Sequence, residues 1–375
     1  MKPFILGLCL IGSLMAVAQK KSSKNLSPDS IMHLMERVAN WQINEFAEKR
    51  NQWPTTDWTN GALYAGLMEL ALLNNSGGHY EDFLIKIGNQ NNWNTGRRRL
   101  FADDYCVGQL YAQLYMQKKE PHMIEKFVHL ADTIVQKPFT ESLEWKNNIQ
   151  LREWAWCDAL FMGPPALAYL STATQNLAYL QKADTLWWKT TSYLYDTKEH
   201  LYFRDSKYFN QREANGKKMF WARGNGWVMG GLVRMLQNQP ATFENRSRYE
   251  KLLKQMAAKI ARLQHKDGTW HAALLDQQSY PAMETSGTGF YTYALTWGVR
   301  QGLLSKAKYM PVITKAWQAL SAAVHPNGML GFVQKIGEKP GNTDMESTEV
   351  YGVGAFLLAG SELYRLSQQE KLATR

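Results

Sequence analysis

Asp158 is the residue whose surroundings in this chain most favour proton-transfer chemistry. It ends the run Trp154-Ala-Trp156-Cys-Asp158, and on a helix Trp154 would lie four residues before it on the same face. A carboxyl walled by an indole is poorly hydrated, which raises its pKa and lets it donate a proton near neutral pH. A simple helix N-cap is the alternative role. The run predicts a catalytic acid at Asp158, with Trp154 as a neighbouring binding residue.

The adjacent pair Asp103 and Asp104 is the second acidic position. Neighbouring carboxylates at a helix start usually act as a cap and a solvated neighbour. If this pair and Asp158 precede consecutive inner helices of one array, one of the two could complete a carboxylate pair across a pocket. We choose Asp104 as the second catalytic residue because it lies one residue deeper, and we keep Asp103 as a substrate-binding candidate.

A cation flanked by indoles occurs in the run Phe220-Trp221-Ala-Arg223-Gly-Asn225-Gly-Trp227. Arg223 at a helix start opposes the helix dipole, which indicates an anionic ligand. An ion pair with a carboxylate at the rim is the alternative. Trp221 and Trp227 are binding candidates because large aromatics often line carbohydrate clefts, although aromatics also fill helical cores. The Gly-x-Gly is weak support for a nucleotide site, since no strand precedes it and no phosphate-binding loop motif occurs.

The eight histidines are scattered and form no zinc-protease motif or Cys/His cluster. We therefore expect no metal and no cofactor. His271 follows Trp270 in a loop-like stretch after Lys266-Asp267-Gly268, and we retain it as a substrate-binding candidate.

The elements that must position these residues recur along the chain. Six apolar, small-residue-rich segments each open with a polar cluster, and each is apolar nearly all round, as expected of a helix buried on every side. The segments are ALYAGLMEL, YCVGQLYAQLY, ALFMGPPALAYL, GWVMGGLVRML, GTGFYTYALTWGV and VYGVGAFLLAGSEL.

Amphipathic segments alternate with these six and predict outer helices. They span about 29–50, 79–92, 121–136, 174–194, 243–264 and 305–324. Six inner and six outer helices predict an all-α fold, an (α/α)6 barrel, in one domain over residues 29–375. If the inner helices are parallel, their polar N-terminal ends meet at one mouth and favour anionic ligands. The non-helical stretches 195–222 and 266–284 should form cleft loops above that mouth.

The N-terminus predicts export. Lys2, an apolar run and small residues before Gln19 form a secretory signal peptide over 1–18, too short to span a bilayer, and 19–28 reads as a flexible segment. We expect a periplasmic or extracellular protein without a membrane span.

Only Cys106 and Cys157 follow the signal, and buried free thiols are favoured over a disulfide.

The charge of the chain also bears on its partners. The formal net charge of +10 is spread along the sequence. This spread fits an acidic oligosaccharide better than nucleic acid.

Six ordered motifs from about residue 58 to 367 resemble the unsaturated rhamnogalacturonyl hydrolases, glycoside hydrolase family 105. They are ADDYCVGQLY, WCDALFMGPP, LYFRD, FWARGNGW, METSGTGF and STEVYGVGAFLLAGSEL. The resemblance implies the same barrel, as a monomer or weak homodimer. It also implies removal of a terminal 4,5-unsaturated uronic acid from lyase-cut oligosaccharides, where hydration of the C4=C5 bond yields a hemiketal that opens and releases the aglycone.

The resemblance assigns roles residue by residue. Asp158 matches the acid/base that protonates C4, and Asp104, with Asp103 as its alternative, matches the position that orients sugar and water. The segment of Trp221, Arg223 and Trp227 matches a stacking wall that anchors the uronate. LYFRD departs from members that carry His in this region, which leaves the contacts of this loop open.

Three other functions compete with this one. An unsaturated glucuronyl hydrolase acting on glycosaminoglycan, ulvan or other glucuronyl oligosaccharides is the nearest. An inverting glycosidase of the same fold is the second. A non-catalytic module is disfavoured, because its polar residues should line an extended face rather than converge on one end. Rhamnogalacturonan, a pectin component, is the favoured source of substrate.

Overall fold

The computed structural model describes residues 26–73 and 78–373. In these residues, twelve α-helices alternate between an outer and an inner ring. The outer helices are α1 (Pro28–Ala47), α3 (His79–Gln90), α5 (Glu125–Gln136), α7 (Leu177–Leu194), α9 (Arg246–Leu263) and α11 (Lys306–Ala322). The inner helices are α2 (Trp58–Ala71), α4 (Gly108–Lys118), α6 (Ala159–Thr174), α8 (Ala222–Asn238), α10 (Thr285–Arg300) and α12 (Val350–Ala373).

The inner ring is closed. Each inner helix packs against the next one in chain order, and α12 packs against α2. The outer helix α1 packs against α12, and the other outer helices lie against or between inner ones. The predicted all-α (α/α)6 barrel is therefore confirmed. The predicted signal peptide at 1–18 lies outside the described residues, as does most of the 19–28 segment.

Small residues let the inner helices approach closely. A Cβ atom on Gly66 would lie 2.5 Å from the carbonyl oxygen of Gly354, and one on Gly231 would lie 2.2 Å from that of Leu160. Real Cβ atoms do not fit at such distances, because protein interiors are close-packed. The glycines in the apolar segments thus set the width of the barrel.

Two prolines inside α6 are accommodated by a side chain from α4. Pro165 has no N–H to donate to the carbonyl of Phe161, four residues earlier. The Gln109 side-chain amide donates to that carbonyl at 2.8 Å instead. The Gln109 oxygen accepts from the guanidinium of Arg234 in α8. One buried amide therefore joins three consecutive inner helices.

Buried charges gather where the inner helices end. Arg365 bridges Glu69 at 2.7 Å and Glu362 at 3.0 Å, and Arg300 pairs with Glu362 at 2.6 Å. Arg234 lies 3.8 Å from Glu69. Because these residues come from the later turns of α2, α8, α10 and α12, the inner helices are parallel, and their N-terminal ends lie together at the opposite mouth.

Loops and two short hairpins cover the mouth. Strands β1 (Tyr195–Asp196) and β2 (Leu201–Tyr202) form one hairpin, and β3 (Trp270–His271) and β4 (Met283–Glu284) form the other. Both lie in the two stretches predicted to be non-helical. Beyond β3 the chain continues beside the start of α8, with a bridge between Trp221 and Ala273.

Two further findings concern the described residues. None of their helices combines the length and apolar character needed to cross a membrane. Cys106 and Cys157 are buried free thiols, as predicted.

Candidate active site

A cavity of about 150 Å³ opens at the mouth formed by the N-terminal ends of the inner helices. Two carboxyls, two guanidiniums and three indoles face it, together with a methionine and a loop from the segment before α12. The lining residues are Trp58, Asp103, Trp156, Asp158, Met162, Arg204, Trp221, Arg223, Ile336 and Gly337. The mixture of acids, cations and aromatic faces suits a single anionic sugar ring.

Two larger cavities lie at the other end of the barrel, on either side of Pro240. Their volumes are about 320 and 360 Å³. The first contains no charged side chain, and the second contains acids without a cation. Neither offers the acid–cation combination of the smaller cavity, which we take as the candidate active site on its chemistry rather than its size.

Asp158 lies immediately before α6 and lines the cavity. Its side chain makes no capping hydrogen bond to the helix, so the capping alternative is not what the fold shows. The Cys157 thiol donates to Asp158 at 3.3 Å, and Arg204 Nε lies 3.9 Å from the same oxygen. Burial raises the pKa of Asp158, and the charge of Arg204 opposes this shift. The carboxyl is thus poorly hydrated but has a cation that can stabilise its ionised form.

Asp103 is the second carboxyl of the cavity. It belongs to a short 3-10 helix, Ala102–Tyr105, that precedes α4. Burial raises its pKa well above the ordinary range, and the negative charges of Asp158 and Asp104 raise it further. A raised pKa favours the protonated carboxyl, which can donate a hydrogen bond.

Asp104, which we prefer from the sequence, does not line the cavity, whereas Asp103 does. Its carboxylate accepts from the Arg98 guanidinium at 2.8 and 3.2 Å and from the Arg98 main-chain N–H. In a 3-10 helix successive side chains diverge by about 120°, so adjacent aspartates cannot face the same way. Asp104 fixes the preceding loop, while Asp103 faces the sugar-sized cavity.

Trp154, which the sequence places beside Asp158, is a core residue and does not line the cavity. Because α6 begins only at Ala159, the two residues do not share a helix face. The Trp154 indole donates to the Leu100 carbonyl at 3.0 Å and packs against Gly163. Trp156 lines the cavity instead and stacks on Phe101, with ring centroids 5.3 Å apart.

Trp221 and Trp227 lie at different depths in the barrel. Trp221 lines the cavity, and its indole N–H donates to the Gln334 side chain at 2.9 Å. Trp227 is completely buried inside the barrel and does not line the cavity, contrary to prediction. Its ring lies 5.8 Å from that of Trp58, which does line it. Trp227 therefore supports the cavity floor from below.

Arg223 is 1% exposed and lines the cavity. Its guanidinium donates to the carbonyls of Gln334 and Lys335 and lies 4.4 Å from the ring centre of Trp221. Among the described residues it forms no ion pair, and its buried Nε has no hydrogen-bond partner. The ion pair with a rim carboxylate, which is the alternative role from the sequence, is therefore not formed within the residues that the structure describes. Arg223 keeps a positive charge that an anionic ligand could neutralise.

Arg204 is a second cation of the cavity. The sequence left the contacts of its loop open. It comes from the LYFRD segment, packs over the ring of Trp145 at 4.5 Å and pairs with Asp205 at 2.6 Å. It also lies 3.6 Å from Glu338. The segment was noticed in the sequence, but no local pattern could show that its arginine reaches Asp158.

The segment 334–337 closes one side of the cavity and was not expected there. The Gln334 carbonyl accepts from Tyr351 and Arg223, and its side-chain amide donates to Lys339 at 2.9 Å. Ile336, which is 43% exposed, and Gly337 complete the wall. The partners of this segment are distant in sequence, so spacing gave no indication of them.

His271, the remaining binding candidate, is buried in β3 and is not among the cavity residues. Its Nε2 lies 2.9 Å from Asp267. Burial lowers the pKa of His271, but the hydrogen bond and charge of Asp267 and the hydrogen bonds to the main chain of Gln277 and Tyr280 together outweigh it, and the net shift is upward. His265 lies beside the pair. His265, Asp267 and His271 therefore form a local cluster.

This chain is similar to known proteins over nearly all of its length. The model of Glycosyl Hydrolase Family 88 matches residues 34–367. An unsaturated 3S-rhamnoglycuronyl hydrolase of Formosa agariphila is 38% identical over 97% of this chain and 98% of its own.

Two solved structures share the fold at a TM-score of 0.81. One, described as glycosyl hydrolase family 88 from Bacteroides vulgatus, is 30% identical and covers 91% of this chain and 99% of its own. The other, described as a polysaccharide lyase, is 33% identical and covers 92% and 98%. The family match spans nearly all of the barrel and includes every residue that lines the cavity. The chain belongs to glycosyl hydrolase family 88.

Proposed function

We propose that this glycoside hydrolase removes a terminal 4,5-unsaturated uronic acid from oligosaccharides by hydrating the C4=C5 bond. One observation carries the proposal. Two carboxyls with raised pKa values share a cavity of about 150 Å³ with Arg223, a buried guanidinium that has no carboxylate partner among the described residues. Such a site can bind a uronate and protonate it in the same place.

Asp158 acts first as an acid and then as a base. The neutral carboxyl donates its proton to C4, and positive charge develops at C5 and the ring oxygen. Water adds to C5 and returns a proton to Asp158, whose anion Arg204 stabilises from 3.9 Å. The resulting C5 hemiketal opens to a ketone, and the hemiacetal at C1 then expels the aglycone as an alcohol. One water is consumed, and the enzyme ends in its starting state.

Asp103 has a different task. Burial and the negative charges of Asp158 and Asp104 raise its pKa, which favours the protonated form as a hydrogen-bond donor. We assign it the hydrogen bonds that hold the sugar and the incoming water. The two carboxyls titrate as a coupled pair, and measured pKa values belong to the pair.

Arg223 and the indoles bind the sugar. The Arg223 guanidinium lines the cavity, and a planar guanidinium fixes the direction of a carboxylate better than an ammonium does. Trp58, Trp156 and Trp221 offer ring faces and edges to the apolar side of a pyranose.

The sugar next to the uronate is best proposed as rhamnose. The family-105 motifs point to a rhamnogalacturonyl substrate, and the name of the Formosa agariphila relative also contains a rhamnose-linked uronyl group. Because both names share rhamnose and differ in the uronyl group, we propose a rhamnose-linked unsaturated uronate. Galacturonyl and glucuronyl forms are to be compared directly.

Loss of the ultraviolet absorbance of the C4=C5 bond tests the proposal. Purified protein should consume unsaturated rhamnose-linked disaccharides with falling absorbance, and Asp158→Asn should lower kcat by about 10²- to 10⁴-fold. Asp104→Asn is a matched control, since its carboxylate is bound to Arg98 outside the cavity; it should lose less than about 10-fold.

Three outcomes would count against this function. Rising absorbance on an uncut polysaccharide would identify a lyase, the description of one related structure. Turnover of saturated oligosaccharides would identify an ordinary glycosidase. Normal turnover by Asp158→Asn would remove the proposed acid.

Export and association complete the proposal. We propose that residues 1–18 direct secretion and are removed, so that the mature N-terminus is Gln19, and that the protein is a monomer or weak homodimer. N-terminal sequencing of the expressed protein and light scattering across concentrations would test the two statements. A retained Met1 or a tight oligomer at nanomolar concentration would contradict them.

A further inference from the structure

Three potential metal ligands meet at the turn before β3, outside the candidate active site. His271 Nε2 lies 2.9 Å and His265 Nδ1 lies 3.3 Å from the same oxygen, Oδ2 of Asp267. All three ligand atoms lie within 4.8 Å of one another. We propose that His265, Asp267 and His271 bind a divalent transition-metal ion of the zinc class.

The surrounding hydrogen bonds orient two of the three ligands. Asp267 Oδ1 accepts from the main-chain N–H and the hydroxyl of Thr269, both at 2.8 Å, so Oδ2 is turned toward the histidines. His271 Nδ1 lies 3.3 Å from the carbonyl of Gln277. If Nδ1 donates its N–H there, Nε2 is the nitrogen that can bind a metal once it releases the proton that it shares with Asp267, and this pattern is typical of metal-binding histidines.

His265 supplies an independent observation. Its Nδ1 atom is buried yet has no hydrogen-bond partner of acceptable geometry. A polar atom excluded from water without a partner costs free energy. A metal ion between this nitrogen and Asp267 Oδ2 would use its lone pair, so the three side chains would all be satisfied by one ligand.

The distances fit a small transition-metal ion. A tetrahedral zinc ion with ligands at about 2.0–2.2 Å separates them by about 3.3–3.6 Å. The spacings of 2.9 and 3.3 Å need only slight widening. Two imidazoles and one carboxylate favour zinc over calcium or magnesium, which prefer oxygen ligands. Asp267 and His265 are partly exposed, so water can supply the fourth ligand.

The position of the triad gives the ion a structural role. The turn is closed by hydrogen bonds from Gly268 N to His265 O at 3.0 Å and from His265 N to Thr269 O at 2.9 Å. The chain after β3 then pairs with the segment that carries Trp221. A metal ion would fasten this turn to β3, behind one wall of the cavity, and would stabilise the folded protein.

Zinc titration of tag-free, chelator-treated full-length protein tests the site. We expect about one equivalent of Zn²⁺ by calorimetry and a rise of several degrees in melting temperature, because a ligand that binds only the native state stabilises it. Ca²⁺ and Mg²⁺ at equal concentration should produce neither effect. His265→Gln should weaken zinc binding at least 10-fold, and Asp267→Asn should do the same.

His33→Gln is the matched control, because His33 is an exposed histidine of α1. It should bind zinc as the wild type does. The proposal is overturned if the wild type binds no stoichiometric zinc, or if His265→Gln and Asp267→Asn both bind it unchanged. His265 is partly exposed, so its variant should fold even if substitution of the buried His271 does not.

Discussion

At the residue scale, the site depends on an aspartate that does not cap the helix that follows it. An Asp before a helix normally caps it, whereas Asp158 makes no such bond and faces the cavity beside Arg204. Burial and the nearby negative charges also raise the pKa of Asp103, its neighbour across the cavity. Two acids with different environments can therefore serve as proton donor and hydrogen-bond donor in a single small space.

Asp103→Asn should stabilise the protein at neutral pH while impairing turnover. Because burial raises the pKa of Asp103 above its unfolded value, the unfolded state ionises first as pH rises, and folding stability is lost in that window. The amide does not ionise, so the variant should melt a few degrees above the wild type at pH 7.

The difference should shrink toward zero as the pH falls through about 4, because Asp103 then becomes protonated in the unfolded state as well. Calorimetric melting from pH 3.5 to 7.5 measures it. A variant that is less stable at every pH would show that the carboxyl is a structural hydrogen-bonding group.

Arg223→Gln should raise KM by about 10- to 100-fold, because hydrogen bonds to charged groups contribute about 1.5–3 kcal/mol. Glutamine can still donate to one of the loop carbonyls that Arg223 contacts, which limits damage to the wall. Steady-state kinetics on an unsaturated disaccharide would decide the matter, and an unchanged KM would remove the uronate-binding role.

The sequence could predict which residues belong to the site, but not which way their side chains point. Asp158, Asp103, Trp221 and Arg223 were all named beforehand and all line the cavity. The sequence favours Asp104 over Asp103 for the pocket, but a 3-10 turn rather than an α-helix carries the pair, and Asp103 is the one that lines the cavity. Trp154 was misplaced because α6 begins after it and not before it.

At the element scale, the helices were predictable and the loops were not. Apolar periodicity identified both rings, since it depends on residues three or four apart. The wall formed by 334–337 depends on contacts between Gln334 and residues such as Trp221, more than 100 positions away. No local pattern encodes such a contact.

Gln109→Ala should destabilise the barrel by about 2–4 kcal/mol. The substitution leaves the Phe161 carbonyl and Nε of Arg234 without their buried partner, and each unsatisfied buried group costs about 1–3 kcal/mol. Urea unfolding measures the change. Gln117→Ala, at an exposed position of the same helix, should change stability by less than about 0.5 kcal/mol; equal losses in the two variants would contradict the proposed link between helices.

At the scale of the whole molecule, the buried ion pairs and the candidate active site lie at opposite ends of one closed ring of helices. The charged cluster around Glu69 and Glu362 occupies the end where the inner helices finish, and the acids and cations of the cavity occupy the end where they begin. The motifs that resembled family 105 extend over the same stretch that the family 88 model matches. The repeat pattern could predict this polarity because parallel inner helices place all their polar openings at one mouth.

The central claim is that water adds to the sugar alkene and does not displace the glycosidic bond. Turnover of an unsaturated disaccharide in H₂¹⁸O, with the products trapped at early times by borohydride, locates the oxygen that enters. Hydration predicts ¹⁸O at C5 of the released uronic acid and none at C1 or in the aglycone. Label at C1, produced at the enzymatic rate, would show direct displacement and contradict the mechanism.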